Sequence, residues 1–437
     1  MAYDIIIGRN ESDKKFFKEK GLINVGKGYV KMGQYTSLSN NIFIDVARSH
    51  VILIAGKRGS GKSYTMGVLT EEMSNLPKEV SSNIGSLIFD TMGIYWTMKY
   101  ENEKDKDLLH EWNLKPKKLP VKIFVPFGHY DSFLEKKIPV DLPFALSVSE
   151  LSAEDWIITF GLELINPVSV LIDRTLNNLK NEKENFDIEE IISELEKDKK
   201  SEKEIINAAV GLFQTANNWG IFAKKKIPPT KIRDLIEGGK TSVLDLSVYN
   251  SIGAFNVRAL VISLISRKLF NERMSARKIE EIKDLERRMD YFKEGEEKET
   301  PLIWLFIDEA HEFLPKDEKV ISTDALVQIL REGRQPGISV VLATQQPGKI
   351  HTDVITQSDI VISHRVTSKQ DIEALNHMMQ SYLTNTIQGY MNDLPGLKGS
   401  AIILDDNSER IYPMRIRPRF TWHGGQAPTA VDIKKEL

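Results

Sequence analysis

The sequence predicts an α/β fold with a mostly parallel central sheet, and three observations predict it. Short apolar runs suited to buried strands recur along the chain, helical patterns separate most of them, and one run passes directly into a glycine-rich loop that opens a helix.

The elements follow in order. Residues 1–45 hold the apolar runs Ile5–Ile7 and Ile42–Val46 with glycine-rich turns expected at Gly26–Gly28 and Gly33, a short β-rich N-terminal segment. Strands are expected at Val51–Ile54, Ser86–Phe89, Val121–Val125, Thr241–Leu246, Leu302–Ile307, Ile338–Ala343 and Asp359–Ser363. Helical patterns such as Ser63–Met73 and Asp324–Arg334 lie between them. Strand signals almost vanish from 146 to 240, where Ser152 and Asp155 spell a capping box and Ile188, Ile191, Ile192 and Leu195 share a helix face. This is a helical insertion. It divides the core into a first part, 46–145, and a second part, 241–420, with 421–437 as an irregular tail. A long charged helix is expected from Val257 to near Gly295, its charge runs forming a solvated face.

Composition narrows the class. A chain of 437 residues allows two or three domains, and 41% hydrophobic content excludes wholesale disorder. The absence of cysteine rules out disulfides and thiolate metal sites. The start lacks a signal-peptide pattern and no apolar run is long enough to span a membrane, so a cytoplasmic protein is expected. A net charge of −3 means that any nucleic-acid surface must be a local patch or lined channel.

The segment Gly56-Lys57-Arg58-Gly59-Ser60-Gly61-Lys62-Ser63 fits the phosphate-binding P-loop, follows an apolar strand and opens a helix. Its glycines permit a tight loop with N–H groups turned inward, and the helix N-terminus adds partial positive charge. The expected nucleotide contacts are Gly56, Gly59, Ser60, Gly61, Lys62, Ser63 and Tyr64, with Lys62 at the β- and γ-phosphates of ATP and Ser63 on Mg²⁺. Such a loop needs a metal-binding carboxylate on a neighbouring strand. The run Leu302–Ile307 ends in Asp308-Glu309, making Asp308 the second metal ligand and Glu309 the residue that polarises the attacking water. A third strand ends at Thr344-Gln345, and Gln345 is placed to sense the γ-phosphate or position water. Before it, Arg331 and Arg334 are candidates to reach a neighbouring subunit's γ-phosphate.

Asp308-Glu309-Ala310-His311 spells DEAH, but only 92 residues follow Gln345 (437 − 345), too few for the second domain of a DEAH-box helicase. A single domain of this kind completes its site against a neighbour in a ring. Five blocks resemble the HerA hexameric DNA translocases of the HerA–FtsK branch of P-loop ATPases. They are HVILIAGKRGSGKS (His50–Ser63), LIFDTMGIYW (Leu87–Trp96), WLFIDEAHEFLP (Trp304–Pro315), LREGRQPGISVVLATQQP (Leu330–Pro347) and LPGLKGSAIIL (Leu394–Leu404).

That resemblance implies a RecA-like P-loop NTPase domain, a homo-hexamer and sequence-independent double-stranded DNA as partner. It makes Arg334 the foremost trans-acting arginine, with Arg331 second, and Gln345 the polar residue after the sensor strand. It also makes Asp90 the start of a D-x-x-G-x-Y turn on the strand beside the P-loop. Many members pair with a NurA-type nuclease, but residues 1–45 are too short for the family's N-terminal β-barrel, which puts that partnership in doubt. The segment Arg410–Trp422, with Arg415, Arg417 and Arg419, is either an arm bracing a neighbour or an edge strand with outward basic residues. Lys224-Lys225-Lys226 is either a pore loop or solvated surface. Three readings share this site: a DNA translocase in end processing, repair or defence; an ATP-dependent scaffold gating a partner enzyme; and a viral or plasmid packaging or transfer motor.

Overall fold

A computed structural model of the chain describes residues 4–32, 35–250, 255–289, 300–379 and 387–425. The strands are β1 (Ile5–Ile7), β2 (Leu22–Met32), β3 (Tyr35–Asp45), β4 (Val51–Ala55), β5 (Ile84–Asp90), β6 (Lys122–Pro126), β7 (Leu142–Phe144), β8 (Thr241–Asp245), β9 (Leu302–Ile307), β10 (Ile338–Thr344), β11 (Ile360–His364), β12 (Ser400–Asp405) and β13 (Arg410–Ile416). All belong to one sheet of order β1-β3-β2-β13-β12-β11-β4-β10-β9-β5-β8-β6-β7. From β11 to β7 every pairing is parallel. Antiparallel pairs β11–β12, β12–β13, β13–β2 and β2–β3 extend that core on one side.

Burial on both faces explains why the parallel strands read as unbroken apolar runs: every residue of β5, β8 and β10 is buried. Alternate side chains feed two cores. Ile52, Ile54, Phe306 and Val341 pack with Met66, Val68, Leu69 and Met73 of the helix Lys62–Asn75. Leu53, Leu305 and Leu342 face the opposite core, shared with the long helix Phe255–Met289 and the helical insertion.

The insertion comprises the helices Ala153–Thr159, Pro167–Glu182, Ile188–Glu196, Lys203–Asn217 and Ile232–Leu235. The expected Ser152–Asp155 capping box is formed, and Asp187–Glu190 makes a second. Trp156 anchors the insertion, its ring 4.9 Å from that of Phe213 and 5.1 Å from that of Phe222. Among the described residues no helix is long and apolar enough to cross a membrane.

Several expectations need correction. Gly26–Gly28 is not a turn but the bulged middle of β2, where a Cβ on Gly26 would lie 2.2 Å from the Arg415 carbonyl oxygen. Gly33, the expected helix end near Gly295 and the tail beyond residue 425 lie outside the described residues. The strand bearing Asp308 does not adjoin β4, because β10 intervenes, and β5 with Asp90 lies three strands from the P-loop strand. Strand β13 is not an edge, and Arg417 and Arg419 are buried rather than outward. The helix Glu11–Phe17 carried no signal that the sequence reading used.

Candidate active site

Because β4, β10, β9 and β5 run parallel, their C-terminal ends deliver Gly56, Gln345, Asp308 and Asp90 to the same border of the sheet. The loop after β4 depends on its glycines. Gly59 and Gly61 have φ of +73° and +114°, and a Cβ on Gly56 would lie 2.4 Å from Ser60 Oγ. Nothing lies within 4 Å of a Cβ built on Gly59, so the backbone there is open to close approach. Lys62 opens the helix Lys62–Asn75, is 6% exposed, and makes no ion pair among the described residues. An ammonium buried without a counter-ion is costly, and an anion relieves the cost.

Ser63 Oγ donates to Asp308 Oδ2 at 2.5 Å, and the Tyr95 hydroxyl donates to the same oxygen at 3.3 Å. Asp308 is 1% exposed and its other oxygen accepts the Glu309 N–H. Mg²⁺ is commonly held by one or two protein oxygens, waters and substrate phosphates, and this hydroxyl–carboxylate pair fits such an ion. Among the described residues no group of three or more His, Cys, Asp or Glu side chains forms an all-protein metal cage.

Glu309 sits at φ 51°, a left-handed conformation that turns its side chain out of the strand direction. Its Oε1 accepts from Gln345 Nε2 at 2.8 Å, while Oε2 is buried 3.7 Å from His311 Nδ1 and has no hydrogen-bond partner among the described residues. Burial, then the Asp308 charge, raises the Glu309 pKa. Both features suit an oxygen that takes up a water and its proton. His311 backs the pair: its Nε2 faces the Gln346 amide at 3.3 Å and its Nδ1 the Thr344 hydroxyl at 3.2 Å. Burial and the nearby Lys62 charge hold its pKa down to about 4, so it is neutral.

Asp90 has a different task. It is fully buried, and its two oxygens accept the N–H groups of Met92, Gly93, Ile94 and Tyr95. The carboxylate shapes the turn that brings the Tyr95 hydroxyl onto Asp308. Burial and the adjacent Asp245 push its pKa up, against the pull of those N–H groups.

Lys62, Ser63, Asp308, Glu309 and Gln345 are therefore brought together, with Gly56, Gly59, Ser60 and Gly61 around them. Two expected residues are not. The Tyr64 hydroxyl accepts the Arg419 N–H at 2.6 Å and its ring packs edge-on against His423, so the side chain serves the C-terminal segment. Arg334 precedes β10 whereas Gln345 follows it, and seven strand residues at about 3.3 Å each separate them by roughly 20 Å. Arg334 is exposed and makes no ion pair among the described residues, while Arg331 is tied to Asp353 at 2.7 Å. The three lysines Lys224, Lys225 and Lys226 are exposed on a turn closed by the Lys224–Ile227 bridge.

Two features escaped the sequence reading. His364, at the end of β11, is buried beneath the loop with Nε2 2.9 Å from the Thr65 hydroxyl and Nδ1 3.2 Å from the Ser400 carbonyl oxygen. That carbonyl only accepts, so Nδ1 carries the proton, and Nε2 shares the single Thr65 hydroxyl proton with the Gly61 carbonyl oxygen 3.0 Å from that hydroxyl. Burial holds the ring neutral, its pKa down to about 4. The second is Glu71 on the P-loop helix, a fully buried carboxylate gripped by Arg417 at 3.0 Å and Arg419 at 3.2 Å. The C-terminal segment thus folds back on this chain's own P-loop helix.

Comparisons with known proteins agree with this geometry. A family model described as "Helicase HerA, central domain" matches residues 30–269, and one described as "Zonular occludens toxin (Zot)" matches residues 250–395. The DNA double-strand break repair helicase HerA of Sulfurisphaera tokodaii is 23% identical over 401 residues, covering 89% of this chain and 66% of that protein. The HerA of Pyrococcus furiosus is 27% identical over 184 residues, 39% of this chain and 31% of that protein. The probable HerA of Methanocaldococcus jannaschii is 23% identical over 337 residues, 72% of this chain and 61% of that protein. The chain spans from about a third to about two thirds of the length of these relatives. In fold it is similar to VirB4 of Thermoanaerobacter pseudethanolicus, at TM-score 0.53 and 11% identity over 92% of this chain and 97% of that one. It is also similar to the bacterial conjugative coupling protein TrwBdeltaN70, at TM-score 0.51 and 12% identity over 86% and 87%. With the HerA central-domain match covering more than half of the chain and the P-loop, Asp308-Glu309 and Gln345 converging at one border of a RecA-like sheet, the chain belongs to the HerA helicase family.

Proposed function

We propose that this chain is an ATP-hydrolysing motor that moves along double-stranded DNA as a ring of identical subunits, most simply a hexamer. The observation that carries the nucleotide reading is the buried Lys62, with no ion pair among the described residues, inside a glycine loop beside the Ser63–Asp308 pair and a Glu309 Oε2 that has no hydrogen-bond partner among them. Lys62 and the loop N–H groups hold the phosphates of ATP, and Ser63 and Asp308 hold Mg²⁺. A Mg²⁺ ion held by Ser63 and Asp308 would supply neutralisation of charge on the phosphate oxygens. Glu309 Oε2 accepts the proton of the attacking water, with Gln345 fixing the other carboxylate oxygen and standing where γ-phosphate loss would be sensed.

Arg334, about 20 Å of strand away from Gln345, completes a neighbour's site rather than its own. Support for DNA as the track comes from the family and from relatives named as DNA double-strand break repair helicases. A sequence-independent motor grips phosphates, so duplex affinity falls steeply with salt and varies little with sequence. A NurA-type nuclease or another effector is the fitting partner class for such a motor.

The test is ATP turnover and roadblock displacement on a blunt duplex carrying a bound protein. The reading expects duplex DNA to stimulate turnover and ATP to drive displacement. ATP turnover indifferent to DNA, with no displacement, would replace the motor by a nucleotide-gated scaffold.

A further inference from the structure

At the opposite border of the sheet from the P-loop lies a cleft of about 420 Å³, lined by Arg48, Arg273, Arg277 and Arg334 against Asp13 and Glu280. Its lining therefore carries two more positive than negative side chains on a chain whose net charge is −3.

Arg273 is the informative member. It projects from the long helix Phe255–Met289 and is completely buried. Its Nε donates to the Pro336 carbonyl oxygen at 2.8 Å, and its Nη1 to the Thr300 carbonyl oxygen and Glu280, both at 3.0 Å. Its Nη2 is buried with no hydrogen-bond partner among the described residues. A buried charged donor left unmatched is costly, so a fold that satisfies the Nε and Nη1 hydrogens and leaves both Nη2 hydrogens unmatched has a ligand-facing group. Gly337 lies beside that nitrogen. It has φ +87°, and a Cβ there would lie 3.4 Å from that same Nη2.

The other arginines grade from held to free. Arg48 is fixed by two bonds to Asp13, at 3.2 and 2.8 Å. Arg277 leans on Glu281 at 3.0 Å and is 35% exposed. Arg334 makes no ion pair among the described residues. Planar guanidinium donors converging on one space suit an oxyanion, and a phosphate offers them more acceptor oxygens than a carboxylate.

We propose that this cleft is a second anion site that binds a phosphate group brought from outside the chain's own P-loop. The phosphate comes either free from solution or from the backbone of nucleic acid. The site does not rest on the P-loop reading, and a P-loop variant separates the two.

The probe is pyrophosphate, titrated calorimetrically into Lys62→Ala protein so that the P-loop contributes nothing. The site predicts saturable binding that weakens at least tenfold in Arg277→Ala and in Arg334→Ala. Removing equal charge from an exposed turn elsewhere, Lys225→Ala, leaves it unchanged. Competition by a short duplex identifies the backbone source. Occlusion by ATP in mixtures with wild-type subunits, without DNA, would reduce the cleft to the trans role of Arg334 and overturn a separate site. Pyrophosphate binding that resists both marks a free-phosphate site and still upholds the proposal. No saturable binding to Lys62→Ala protein, or binding indifferent to Arg277 and Arg334, overturns it without touching the P-loop.

Discussion

Replacing Glu71 with glutamine removes one charge and almost no volume from the interior of the P-loop helix. In the native chain Oε2 accepts from Arg417 and from the Phe420 N–H, and Oε1 accepts from Arg419 and from both the N–H and the hydroxyl of Thr421. Whichever way the new amide is turned, its NH₂ group faces donors, so a flip cannot rescue it. Arg417 keeps a second carboxylate, Glu72 at 3.0 Å, but Arg419, 1% exposed, has Glu71 as its ion-pair partner. Removing one partner of a buried pair costs about 3–5 kcal/mol. The retained amide oxygen still satisfies one side, which places the expectation near the lower end, about 3 kcal/mol. Urea unfolding followed by circular dichroism measures the loss, and limited proteolysis shows whether residues after Arg417 detach. A shift worth less than about 1 kcal/mol, with the C-terminal segment still protected, would refute the buried latch.

Lys62→Ala removes the counter-charge for phosphate, so ATP binding measured with a fluorescent analogue should be lost; wild-type affinity would overturn the P-loop assignment. His364→Leu should raise KM for ATP about tenfold, the equivalent of one lost buried hydrogen bond beneath the loop, whereas His364→Gln recovers part of it; equal KM values would remove His364 from the site. Burial lowers the His50 pKa, but the Asp359 and Asp45 carboxylates outweigh it and bring it to about 9 from 6.5. That 2.5-unit rise is worth about 3 kcal/mol, fully present below pH 6.5 and lost as pH rises through 9. The urea midpoint should fall across that window and stay flatter in His50→Asn; parallel curves would contradict it. Arg334→Ala should bind ATP yet lose roughly 10³–10⁵-fold in turnover, and mixing it with Lys62→Ala subunits should restore part of it. No recovery in verified mixed rings would make Arg334 a residue without a trans role.

Much of the core was legible because buried parallel strands advertise themselves. The run Leu302–Ile307 is β9 to the residue, and the P-loop, Asp308-Glu309 and Thr344-Gln345 each end such a run. Strand order was not legible, since apolar runs carry no record of which neighbour they pair with. The insertion of β10 between β4 and β9, which sets Gln345 against Glu309, emerges only in the folded sheet. Arg417 and Arg419 read as outward charges because their partner Glu71 lies 346 and 348 residues away. His364 is a lone histidine after an apolar run, and only three-dimensional packing sets it under Gly56 and Gly61. The reading of Gly26–Gly28 as a turn failed for a related reason: that glycine yields space to the backbone of β13, almost 390 positions away in sequence.

The central claim is that Glu309, with one carboxylate oxygen held by Gln345 and the other without a hydrogen-bond partner among the described residues, performs the hydrolytic step at a nucleotide already bound by Lys62, Ser63 and Asp308. Glu309→Gln tests it in a single experiment: filter-bound radiolabelled ATP is recovered from the variant and resolved into ATP and ADP over time. The account predicts wild-type retention of label, all of it ATP, with hydrolysis slowed at least about 10²-fold. Label recovered as ADP at the wild-type rate, or no label retained at all, would contradict it.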